Sequence, residues 1–82
     1  MRIINFSPKS ARKDEQVTIG GEGLLGTKIV YFNNASTREI SIKSDYIIHA
    51  KVPHGASTGK IRVVGNNEQE QATSETIITI RD

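Results

Sequence analysis

Apolar and polar residues alternate with a period of two along most of this chain. The runs "QVTIG" from Gln16, "KIVYFN" from Lys28, "REISIK" from Arg38, "YIIHAKV" from Tyr46, "KIRVVG" from Lys60 and "ETIITIR" from Glu75 are short and rich in β-branched and aromatic residues. Each is bounded by Gly, Pro, Asn, Asp or Ser, which is strand-and-turn chemistry. No stretch of a dozen residues carries apolar positions at helical spacing. "SARKDEQ" from Ser10 has the composition of a short helical turn, but it has no apolar face to bury. Close, regular strands of this kind predict an all-β fold, a β-sandwich or a barrel. The polar stretch "NNEQEQATSE" from Asn66 reads as a hairpin tip between the last two strands.

Within the strands the alternation separates two faces. Ile48, Ala50 and Val52 alternate with Ile47, His49 and Lys51, and Ile61 and Val63 with Lys60, Arg62 and Val64. Each set gives one apolar side and one mostly wet side. Pro53 ends one strand, and Gly55 and Gly59 supply the crossing to the next. Asp45 stands just before a strand, where its carboxylate is expected to accept nearby backbone N–H groups and set the turn.

Length and charge restrict what such a fold can do. The 82 residues make one domain, 1–82, and a chain this short buries only ~60% of its unfolded surface, leaving little room for a deep pocket. There is no cysteine, so neither a disulfide nor a thiolate metal site is possible. Basic and acidic residues nearly balance, 11 against 9, and the densest basic group, Lys9, Arg12 and Lys13, runs directly into Asp14 and Glu15. That balance argues against nucleic acid as a partner. No apolar run is long enough to insert in a bilayer, and "MRIINFSPKS" lacks the apolar region of a signal peptide.

One motif suggests a cofactor. Gly21, Gly23 and Gly26 spell G-x-G-x-x-G directly after a predicted strand. A dinucleotide fingerprint needs a helix starting at its last glycines, so that free N–H groups meet the pyrophosphate. Here only Thr27 and Lys28 separate Gly26 from the next strand, and no crossover helix fits. The glycines are expected instead to permit positive φ in a tight or bulged connection between two antiparallel strands. No cofactor is expected.

A second pattern overlaps the first. "VTIGGEGL" followed by "IVYFN", and then "SDYIIHAKVPHGASTGKIRVV", resembles the IPT/TIG domain, an immunoglobulin-like module. The resemblance rests on Val17, Ile19, Gly21 and Leu24; Val30 and Phe32; Ser44, Asp45, Ile48, Ala50, Val52 and Pro53; and Gly55, Ala56, Gly59, Ile61 and Val63. Ile3, Phe6 and Pro8 fit its opening, so it covers nearly the whole chain, and "VPHGASTGKIRV" is its most diagnostic part. Leu24 replaces the usual aromatic, Asn33 stands where glycine is common, and Ala11 and Asp14 occupy positions where glycines are frequent. Asn tolerates the left-handed backbone such a turn needs. Together with the alternation, the resemblance implies an immunoglobulin-like antiparallel β-sandwich of about seven short strands with Greek-key connections, and a core of Ile3, Phe6, Val17, Ile19, Leu24, Val30, Phe32, Ile48, Ala50, Val52, Ile61 and Val63.

Catalytic chemistry is scarce. Ser44, Asp45 and His49 are near in sequence, but if Ile48 and Ala50 face the core, His49 points to the opposite face, and a triad needs convergence in space. His54 lies beside Pro53 without an adjacent acid. The acids Asp14 with Glu15 and Glu68 with Glu70 lack the alternation of a calcium loop, and no histidine pair has metal-ligand spacing. Asn34-Ala35-Ser36 is a glycosylation acceptor pattern that matters only in a eukaryotic secreted protein. Neither enzyme activity nor a metal is expected.

The resemblance implies a non-catalytic module, as found in cell-surface receptors, bacterial surface and glycan-handling proteins, starch-acting transferases and certain transcription factors. The expected role is spacing or packing against neighbouring domains or a protein partner, extracellular or at the cell surface within a larger protein. Two alternatives stand beside it. A carbohydrate-binding module would need exposed rings, and with Phe32 in the core and Phe6 half-buried at its margin, Tyr31 and Tyr46 are the candidates. A dimerisation and DNA-contact module would need a basic patch, which the charge balance does not supply. The candidate interface follows from alternation: with Val30 and Phe32 inward, Ile29 and Tyr31 point outward. One of Ile77 and Ile78 must do the same. With Val64, and with Arg62 and Lys60 as a rim, they outline an apolar patch of the kind that meets a partner.

Overall fold

The computed structural model describes residues 1–67 and 69–81. Its strands are β1 (Arg2–Ser7), β2 (Ser10–Arg12), β3 (Gln16–Glu22), β4 (Ile29–Phe32), β5 (Ala35–Thr37), β6 (Ile40–Ile42), β7 (Ile47–Lys51), β8 (Gly59–Val64) and β9 (Gln71–Arg81). No helix forms among the described residues. The strands make two sheets, a four-stranded one in the order β1-β3-β7-β6 and a five-stranded one in the order β2-β9-β8-β4-β5. This is an immunoglobulin-like sandwich, with the central strands of both sheets in the order that fold uses.

Alternation builds the core as expected. Every side chain assigned to it is buried, and Phe6 lies fully inside rather than half-buried. Val17, Ile19, Ile48 and Ala50 from the four-stranded sheet meet Val30, Phe32, Ile61 and Val63 from the five-stranded one in a single cluster. Ala11 and Ile78 are also buried there. Of the Ile77–Ile78 pair, Ile78 faces in and Ile77 faces out.

The strand count corrects the sequence reading: nine form rather than about seven, and the extra pieces are β2 and β5. "SARKDEQ" does not turn helically. A cis Ser7–Pro8 peptide follows β1, and Ser10–Arg12 then runs parallel to β9, pairing Ser10 with Thr79, Ala11 with Ile80 and Arg12 with Arg81. The sandwich is therefore antiparallel except at this one pair of strands. Asp14 and Asn33, at positions where glycines were anticipated, both take positive φ, 69° and 60°. Short polar side chains tolerate that region better than branched ones.

The polar stretch from Asn66 is only partly a hairpin tip, because β9 already begins at Gln71. Its ladder with β8 is interrupted by a bulge. Lys60 pairs with Ile77 and Arg62 with Thr73, so Ile61 alone faces Ser74, Glu75 and Thr76. Ser74 turns its side chain inward there, and its Oγ accepts the Ile61 N–H at 3.0 Å and donates to the Thr76 carbonyl at 2.7 Å. The hydroxyl replaces the ladder bonds that the bulge displaces.

Candidate functional site

The glycine-rich segment does not join two paired strands. β3 lies in the four-stranded sheet and β4 in the five-stranded one, so residues 23–28 carry the chain across the sandwich. Gly21 lies within β3 opposite Ile3, where the β1 register shifts. A Cβ there would sit 1.8 Å from the Arg2 carbonyl oxygen, so only glycine lets β1 approach. Gly23 takes φ of 68°, and the bulge and the positive φ thus belong to two different glycines.

The N–H groups of this segment already have an anion. Gly23 N–H donates to Asp45 Oδ2 at 3.2 Å and Leu25 N–H to Asp45 Oδ1 at 3.2 Å. Leu24 N–H donates to the Asp45 carbonyl at 2.8 Å. Asp45 is thus an acceptor, as its sequence position suggests, but of a loop 20 to 22 residues upstream rather than of its own turn. The local turn is held by Ser44, whose Oγ accepts the Tyr46 N–H at 3.1 Å. A carboxylate of the chain itself occupies the amides that a phosphate would require.

The remaining candidates for chemistry are dispersed. Ser44 bonds to Tyr46, Asp45 to the glycine-rich loop, and His49 Nδ1 lies 2.9 Å from Gln16 Nε2. A groove of about 470 Å³ over β3, β6 and β7 is lined by Asp14, Gln16, Glu39, Ser41, His49 and Lys51, but no nucleophile there is hydrogen-bonded to a base. His54 is exposed in the turn after Pro53, where Gly55 takes φ of 84°. Gly59 opens β8 against the Asn33 side chain. Among the described residues no group of three or more His, Asp or Glu is placed to hold a metal ion; Glu68 lies outside them. Asn34 is exposed at the β4–β5 turn, its Oδ1 accepting a bond from Ser57 Oγ.

The outward face of the five-stranded sheet does bring its predicted residues together. β4 pairs with β8 so that Ile29 stands opposite Val64 and Tyr31 opposite Arg62. All of these are half-buried. The Arg62 guanidinium lies over the tyrosine ring, 4.3 Å from its centroid, and its Nη1 donates to Gln71 Oε1 at 3.0 Å. Tyr31, Arg62, Val64 and Gln71 line a groove of about 320 Å³. Arg62 is therefore inside the patch and not on its rim. Ile77 is well exposed but lies beyond the bulge, opposite Lys60, and is separate from the others.

Compared with protein-family models and with curated proteins, the chain matches none. The two tyrosines named for sugar stacking do not form one platform. Tyr31 lies under Arg62 on the five-stranded sheet, whereas Tyr46 precedes β7 of the four-stranded sheet. Sequence reasoning missed Gln71, which holds Arg62 over the ring, because it falls in a stretch that reads as hairpin tip.

Proposed function

We propose that this chain is a non-catalytic immunoglobulin-like module of the IPT/TIG kind, which docks a neighbouring domain or a protein partner in a cell-surface or secreted protein. The observation that carries the reading is the ordered Tyr31–Arg62 stack beside Ile29 and Val64. Tyr and Arg dominate the energetic centres of protein interfaces. A guanidinium already fixed by Gln71 and the ring loses less rotamer freedom on binding.

The test is Tyr31→Ser, with calorimetric titration of the module against its adjoining domain. Affinity should fall roughly tenfold or more, as for a hot-spot truncation, while the melting temperature of the isolated domain stays nearly constant. Unfolding of the variant would place Tyr31 in the core, and undiminished docking would remove this face from the interface.

A further inference from the structure

We infer that the open edge of β6 is a self-association surface, across which two copies of this chain join their four-stranded sheets into one. β6 is the last strand of its sheet and has a single neighbour, β7. The register pairs Ile40 with Ala50, Ser41 with His49 and Ile42 with Ile48. Lys51 N–H donates to the Glu39 carbonyl and Lys43 N–H to the Ile47 carbonyl. Residues 39, 41 and 43 therefore direct their main-chain groups towards β7, and residues 40 and 42 direct theirs away from it. The Ile40 N–H turns back to the Arg38 carbonyl at 2.9 Å. The Ile42 N–H and the Ile40 carbonyl are left on the edge as a donor and an acceptor two residues apart, beside the Ile42 carbonyl.

Those two groups are complementary to themselves about a two-fold axis through Ser41. In that arrangement Ile42 N–H of each copy meets the Ile40 carbonyl of the other, and Ile40 lies across from Ile42 on the inner side. Ile42 is a core-side residue that remains 37% exposed because nothing flanks it, and the second copy covers it. On the outer side the same axis sets Glu39 opposite Lys43, twice. Both are exposed, and neither is in the one ion pair among the described residues, Arg2–Glu22. Opposite charges at directly facing positions favour a strand pair, and like charges oppose it.

The other edges lack this symmetry. β2 ends in Arg12 and is flanked by Lys9 and Lys13, basic groups that a two-fold axis would bring near one another. β5, Ala35–Thr37, has no large apolar side chain. β1 is interrupted by its bulge, a common protection of sheet edges. Lys43 would normally guard an edge in the same way, but Glu39 at the symmetric position turns it into a partner.

Sedimentation of the full chain over a range of concentrations tests this. The wild type should dimerise reversibly. Ile42→Pro removes an N–H that β7 does not use, so it should leave a folded monomer. Lys43→Glu should raise the dimer dissociation constant roughly tenfold through two like-charge pairs, and Glu39→Lys combined with Lys43→Glu should restore it. A wild type that stays monomeric into the millimolar range would overturn the proposal. So would a dimer that survives Ile42→Pro, or a double charge swap that fails to rescue the single one. If circular dichroism shows that Ile42→Pro does not fold, the charge-swap series decides alone.

Discussion

The hydroxyls of Ser74 and Thr27 are both buried, and their surroundings differ. Ser74 Oγ is satisfied on both sides, by Ile61 N–H and the Thr76 carbonyl, whereas Thr27 Oγ1 has no partner among the described residues. Removing a buried acceptor strands its donor, while removing an orphaned polar atom relieves a desolvation cost. Ser74→Ala should therefore destabilise by about 1–3 kcal/mol, and Thr27→Val should stabilise by about 1 kcal/mol. Urea unfolding midpoints should move in opposite directions, and movement in the same direction would sink the argument. At this scale the inward residues were legible because alternation with period two names them directly. Ala11 was not, since it sits among charges with no alternation around it. Ser74 was not, because only the β8–β9 bulge makes a serine in a polar stretch an interior residue.

At the scale of elements, the crossing between β3 and β4 is tied down by Asp45. Its carboxylate and carbonyl together hold three successive amides of the loop. Asp45→Ala should speed hydrogen exchange at Gly23 and Leu25 but spare Leu24, whose acceptor is main chain. The stability cost should be roughly 1 kcal/mol, the net worth of hydrogen bonds that are partly solvated. Equal protection at Leu25 and Leu24 in the variant would show that the side chain does not hold the loop. The glycine pattern was legible as a turn and not as a cofactor site, because no helix follows it. Its partner was not legible, since a contact across some twenty residues leaves no local trace. The same holds for the candidate interface. Alternation placed Ile29 and Tyr31 outward, but Arg62 moved from rim to ring only once the register of β4 on β8 was known. β2 and β5 were not legible because each lacks the large alternating apolar residues that mark the equally short β6: Ala11 sits among charges, and Ala35–Thr37 has no large apolar side chain.

For the whole molecule, the pairing of β2 with β9 gives the sandwich a direction. These two strands run parallel, so tension entering at the start of β2 and leaving at the end of β9 pulls them lengthwise past each other. All the hydrogen bonds between them then bear the load at once. The antiparallel β8–β9 pair behaves differently, since Gly59 and Ile78 lie side by side and tension applied at that end opens the ladder one bond at a time. In a stretching experiment, handles at Lys9 and Arg81 should require a higher unfolding force than handles at Thr58 and Arg81, and comparable forces would refute the shear geometry. The short parallel strand that the sequence concealed thus acts as a clasp, whose hydrogen bonds to β9 load together before any one of them lets go.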